Sequence, residues 1–269
     1  MNPHFGIFRS LWVLKTYHRR VLEGVIHDVR QRYVGSVFGS FWAVLFPLLQ
    51  LSIYAGLYGF IFKIRPSGLN EMGYIVLVFA GLVPIMTFSE ALSAATASLS
   101  ANRSLLLNTV FPAELIPLRA AVAAQISGLV GLSITLIVGL LLGRTSWQAI
   151  VLVPVLWVLL LMFATGIGWV FSLLSLVARD IQHGLSLAIM LLFVLSPFAY
   201  TPEMVPAALK PIIYLNPLSY FVLSFQQIVC YGSWPDLLAV GGATILGLGG
   251  FLAGFGVFQR AKYIFFDYA

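Results

Sequence analysis

The chain alternates between long stretches with no charged residue and short clusters that hold all of its charge. Asp, Glu, Lys and Arg are absent from 33–62, 72–89, 120–143, 145–178, 181–202, 211–235 and 237–259. A helix needs roughly 20 apolar residues to cross about 30 Å of hydrocarbon. The gaps have that length, and they exceed the roughly 10-residue alternating strands of a membrane barrel. The pattern predicts membrane-spanning helices.

Seven gaps do not predict seven spans. The 211–235 stretch holds Asn216, Pro217, Gln226, Gln227 and the break Gly232-Ser233-Trp234-Pro235. Backbone in lipid must satisfy its own hydrogen bonds, so a segment rich in proline and amides suits a re-entrant position. The 145–178 gap is long for one span and too short for two plus a turn; it reads as one tilted helix with an emergent end. The expected fold is an all-α integral membrane protein with one domain over 1–269. Its six spans lie at 37–62, 73–98, 116–142, 149–178, 182–200 and 237–259, with short re-entrant helices in 202–232 before the last span.

Upstream of the first span, residues 10–33 carry a second periodicity. Leu14, Tyr17, Val21, Leu22, Val25, Ile26, Val29 and Tyr33 recur at helical spacing. Lys15, Arg19, Arg20, Glu23, Asp28, Arg30 and Arg32 hold the remaining arc. A basic amphipathic helix of this kind lies in the headgroup plane. It is either a topology anchor alone or an anchor that also meets a partner.

Composition narrows the class. Hydrophobic residues make up 60% of the 269 and charged residues only 9%, against roughly 25% charged in ordinary soluble domains. A soluble enzyme, a disordered tail and a disulfide scaffold are excluded. The 15 Lys and Arg fix the orientation through the positive-inside rule. With both termini in the cytoplasm, Arg9, Lys15, Arg19, Arg20, Arg30, Arg32, Arg103, Arg119, Arg179, Arg260 and Lys262 fall inside, and Lys63, Arg65, Arg144 and Lys210 outside. The net charge of +6 expresses that bias, and no nucleic-acid partner is expected from it.

The chain carries no recognisable catalytic, cofactor or metal site. None of its four lysines, Lys15, Lys63, Lys210 and Lys262, follows a glycine, so a phosphate-binding loop is missing. His4, His18, His27 and His183 lack metal-ligand spacing, and the lone Cys230 reads as packing. No acid or base sits at the centre of a span; Glu90 comes closest, near the cytoplasmic end of the second. Ion-driven carriers place ionisable relays in the bilayer, so energy for uphill transport is expected from a separate subunit. Its contact is the cytoplasmic link 100–114, where Asn102 or Ser104 caps a short helix that Pro112 ends. Leu106, Leu107 and Phe111 then form an apolar plug beside Arg103 and Glu114. The alternative is a structured loop resting on the headgroups.

Several motifs follow one another along this layout. They are Arg32-Tyr33-x-x-Ser36-x-x-Gly39-x-x-Trp42-x-x-x-x-Pro47, then Asn102 with Phe111-Pro112-x-Glu114-x-x-Pro117, Arg179-Asp180, Ser196-Pro197 and Asn216-Pro217-Leu218. In order and spacing they resemble the permeases of type-2 ABC exporters, more narrowly those exporting O-antigen, capsule or teichoic-acid polysaccharides. The resemblance implies a homodimer in the bacterial cytoplasmic membrane, paired with two copies of a separate ATPase that holds ATP and magnesium. It also implies a lipid-linked polysaccharide as cargo, 100–114 as the coupling segment, 10–33 as the interface helix and 202–232 as the outer exit. Asn108 and Ala113 stand where the family often has basic residues, and Gln226 where an arginine often follows Phe.

Two further readings stay open: a related permease for a drug or lipid, and a membrane-embedded glycosyl or lipid transferase. The first and fifth spans are expected to wall the path, since they carry Tyr54, Tyr58, Ser196 and Tyr200. Sugar C–H faces stack on aromatic rings, which makes Tyr54, Tyr58, Phe198, Tyr200, Tyr214, Tyr220 and Phe225 candidates for the substrate path. The exit group reads equally as interfacial anchors.

Overall fold

The computed structural model describes residues 7–62, 66, 68–102, 112–178 and 180–266, and every regular element among them is helical. Helix α1 runs over Ile7–Tyr33. It stops at Gly35, whose φ of 80° lies in the left-handed region that only glycine enters without a Cβ penalty. Helix α2, Trp42–Tyr54, continues as the wider π-helical turns of Ala55–Phe62. Helix α3, Glu71–Ala101, starts where the Asn70 side chain accepts from the Gly73 amide at 2.8 Å, satisfying one of the unpaired donors of a helix start.

Next come α4, Leu115–Ala123, and α5, Gln125–Leu141, separated only at Ala124. Helix α6 covers Ala149–Val177 and α7 Asp180–Leu195. The short α8, Lys210–Leu215, precedes α9, Pro217–Val229. Helix α10, Leu237–Thr244, passes through π-helical Ile245–Gly249 into α11, Gly250–Phe266.

Five stretches are long and apolar enough to cross a membrane: Gly39–Gly59, Glu71–Ala101, Leu115–Leu141, Ala149–Val177 and Leu237–Ile264. They match five of the six expected spans in place. Before the last span, the chain folds as a pair of helical segments, Ala207–Leu215 and Pro217–Val229, bent by 99°. A bend of that size fits a broken span or a re-entrant loop.

The expected 182–200 span departs from the structure. Its helix begins at Asp180 and ends at Leu195, 16 residues, or about 24 Å against roughly 30 Å of hydrocarbon. Pro197 disfavours helical backbone at Ser196. The Ser196 hydroxyl donates to Leu192 O at 2.7 Å, and Asn216 Nδ2 donates to the same oxygen at 3.0 Å. Side chains thus satisfy the helix end, and 196–200 leaves it as irregular chain.

Burial is unequal among the spans. In its most apolar stretch α3 is 78% buried, whereas the span containing α2 is 17% buried. Helix α3 is therefore the axis, with α4, α5, α6 and α9 around it. The main core gathers Val76, Leu77, Leu82, Ile85, Phe88, Phe163, Phe221 and Phe225. Helices α6 and α11 cross backbone to backbone: a Cβ on Gly166 would collide with the Gly250 carbonyl, and one on Gly254 with the Gly166 carbonyl. Close approach of this kind substitutes contact area for a hydrophobic drive that is weak between helices in lipid.

Candidate functional site

At one end of α3, helix α1 is bolted to the bundle through its polar arc. Arg119 Nε of α4 pairs with Asp28 Oδ2 at 2.7 Å, and the Arg119 side chain lies directly against Gly24, where no Cβ intervenes. Asp28 reads from the sequence as part of a solvated face; the ion pair instead makes it the dock. Leu22 and Ile26 of the apolar stripe remain exposed, the condition for a helix that rests on lipid. Of the basic residues, Lys15 falls within α1. Arg19 pairs with Glu23 at 3.6 Å, Arg20 lies over the Tyr17 ring at 5.6 Å, and Arg30 is exposed.

Arg32 takes a different place. With Tyr33, Ser36, Trp42, Glu90 and Ser93 it lines a cavity of about 620 Å³ between α1, α2 and α3. Arg32, Tyr33, Ser36 and Trp42 of the first motif thus share one pocket, and Glu90, which sequence alone locates only by depth, is its acidic wall. A second cavity of about 380 Å³ opens on the other side of Arg32 and reaches Asn102.

The expected coupling residues Arg103, Leu106, Leu107 and Phe111 lie outside the described residues. Those flanking them are placed. Asn102 closes α3, its Nδ2 donating to Ser98 O at 2.8 Å. Pro112 leads into the turn before α4. Glu114 is buried, and its Oε2 accepts from Lys262 Nζ of α11 at 3.2 Å, while its carbonyl accepts from Trp169 Nε1 at 2.7 Å. Glu114 is thus paired within the chain, beside the expected coupling segment. The carboxylate ties the turn before α4 to the last helix. Sequence could not find this pair, because 148 residues separate its members.

At the α2 end of the bundle, several expected path residues meet. The Tyr54 and Tyr58 rings stack with centroids 6.2 Å apart and 7° between planes. Phe198 meets both edge-on, at 6.0 and 5.7 Å, and Phe193 adds a fourth ring. Tyr74 closes the cluster, its hydroxyl donating to Ala199 O at 2.8 Å. The cluster joins α2, α3 and the irregular chain after α7.

Other candidates are placed differently. Phe225 has no exposed surface and packs edge-on against Trp157; it is core, not path. Ser196 is also fully buried, accepting from Asn216 Nδ2 at 2.9 Å. Asn216 in turn caps α9, its Oδ1 accepting from the Leu218 amide at 3.0 Å, so the Ser-Pro and Asn-Pro-Leu motifs form one polar knot. Gln226 belongs to it, its Nε2 donating to the carbonyls of Pro197 at 2.9 Å and Phe198 at 3.1 Å. Tyr200 donates to Leu195 O and Tyr220 to Tyr214 O, and Tyr214 is exposed. Cys230 is buried with its thiol on Gly73 O.

The result is a multi-span helical bundle with an amphipathic helix docked at one end and a bent helix pair at the other. Residues 25–229 match the ABC-2 type transporter family, and the chain belongs to it. An O-antigen export system permease protein RfbA of Klebsiella pneumoniae is 31% identical over 242 residues, covering 88% of this chain and 90% of the relative. An O-antigen export system permease protein RfbA of Myxococcus xanthus is 25% identical over 89% of this chain and 92% of its own length. The polysialic acid transport protein KpsM of Escherichia coli is 25% identical over 77% of this chain and 80% of its own length.

Proposed function

We propose that this chain is the membrane subunit of an ATP-driven exporter that moves a lipid-linked, O-antigen-like polysaccharide across the bacterial cytoplasmic membrane. The observation that carries the reading is near-full-length similarity to permeases named for O-antigen export, from two organisms. Family membership alone would equally admit a drug or lipid cargo. The transferase reading finds less support, because Asp28 and Glu114, two of its few carboxylates, are engaged in ion pairs.

In this reading two copies assemble as a dimer, both termini lie in the cytoplasm, and two ATPase subunits bind and hydrolyse ATP with magnesium. The link containing Leu106 and Phe111 engages the ATPase, and Glu114–Lys262 passes its displacement to α11. The Arg32 cavity receives the substrate's anionic head. The exposed α1 stripe holds the assembly at the membrane surface. Deleting the gene should leave polysaccharide inside the cell and strip it from the surface, and a plasmid copy should reverse both. Normal surface display in the deletion strain would refute the proposal.

A further inference from the structure

At the end of the bundle opposite α1, two cavities meet around the same side chains. The larger, about 760 Å³, is lined by Thr201, Glu203, Gln226, Gln227, Tyr231 and Ser233. The smaller, about 110 Å³, shares Glu203 and Gln227 with it and adds Tyr214, Tyr220 and Asp236. The larger volume falls in the roughly 300–1,000 Å³ common to small-ligand pockets. Its lining mixes these polar groups with apolar Pro66, Pro202, Met204 and Leu223.

The polar groups are left available by their local geometry. Asp236 stands at the N-cap of α10, where a carboxylate ordinarily turns onto the helix amides, yet its side chain makes no capping bond. Gln227 Oε1 accepts from the Asp236 amide at 2.7 Å, which fixes the side-chain amide and leaves its NH2 as the group for a ligand. Glu203 is exposed, and neither it nor Asp236 has an ion-pair partner among the described residues. Gln226, next in sequence to Gln227, is committed to the Pro197 and Phe198 carbonyls and forms the floor. Tyr214, Tyr220 and Tyr231 supply aromatic surface.

Carboxylate oxygens accept from vicinal hydroxyls, an amide NH2 donates to a ring or hydroxyl oxygen, and aromatic rings take the C–H face. Together they match a pyranose better than a lipid tail or a planar drug. The charge adds a selection. No Lys or Arg is among the described lining residues of either cavity, and Arg144 donates to Asn70 Oδ1 at 3.0 Å. An anionic sugar would bring its charge against two carboxylates, with no cation among the described lining residues. We infer that this outer groove, centred on Glu203 and Gln227, binds uncharged sugar units of the exported polymer and disfavours anionic ones. The inference rests on the export reading and narrows its substrate class.

Polymer retained by cells lacking the gene is extracted and its repeat unit analysed. Absence of retained polymer refutes the export reading and the groove with it. A retained polymer bearing uronate, sialate or phosphate leaves export standing and overturns the groove's selectivity. A neutral repeat is expected. Oligosaccharides cut from it are then titrated onto the purified full-length permease, with a sialic acid hexamer for comparison. The wild-type protein should prefer the neutral ligand, and Glu203→Ala/Gln227→Ala should weaken that binding at least roughly tenfold. Glu203→Gln keeps the shape and removes the charge, so it should narrow the preference over the hexamer even if the double variant does not fold. Equal affinity of wild type for both ligands, or unchanged binding in the variants, overturns the inference.

Discussion

Glu114 is where a single residue governs the most structure. Its carboxylate and the Lys262 ammonium are both buried and 3.2 Å apart, and the Lys262 ammonium also sits 5.4 Å from the Tyr263 ring centroid. Removing one member of a buried pair strands a charge that neither water nor protein solvates, at a cost of about 3–5 kcal/mol. Lys262→Met alone should therefore sharply lower the melting temperature of the purified permease. Lys262→Met with Glu114→Leu should recover most of it, since replacing both partners by apolar groups is often neutral. Equal melting temperatures for the single variant and wild type would show that the pair does not hold α11.

At the scale of elements, the π-helical turns after α2 matter most. An ordinary helix places residues four apart on one face; here the pair falls at the junction with wider turns, and its rings lie 7° from parallel. Phe198 then reads both tyrosines edge-on, so the cluster fixes α2 to the chain after α7. Replacing Tyr54 and Tyr58 together by Ala is expected to slow export while leaving ATPase binding intact. Phe at both positions should restore transport if ring stacking is the cause and fail if hydroxyls contact the sugar. Surface polysaccharide quantified by antibody distinguishes these, and wild-type export by the double-Ala protein would make the tyrosines packing residues only.

For the whole molecule, sparsely buried elements include α2, which buries Ala43, Pro47 and Leu51, and α7, which buries Leu185. In the proposed dimer these helices face the second copy. Single cysteines at exposed Ile53 and at exposed Leu191, in a Cys230→Ser background, should crosslink between subunits in native membranes. Modification of both only by lipid-phase reagents, with no crosslink, would assign these faces to lipid. Coupling is a second test at this scale. Burying Leu106 and Phe111 in a partner groove contributes roughly 1.5–3 kcal/mol per side chain. Changing both to Asp should release the ATPase from a permease that still inserts, as measured by co-purification; undiminished recovery of the ATPase would move the contact elsewhere.

Sequence by itself determined the solvent of each segment. Charge-free runs of membrane length, the amphipathic arc of α1 and the amide-rich stretch near 216 are local facts, and the bilayer converts them directly into spans, a surface helix and a bent pair. The motif order likewise pointed to the permease family without any coordinates. Tertiary structure decided which polar groups spend themselves on one another. Asp28 with Arg119, Glu114 with Lys262, and Asn216 with Ser196 are pairings between distant positions, and nothing in either partner's local sequence announces the other. The same holds for the end of α7: Pro197 is visible in the sequence, but the Asn216 amide that meets the freed Leu192 carbonyl arrives from another helix. Hydrophobic length is a property of one segment, whereas the satisfaction of a buried polar group is a property of two.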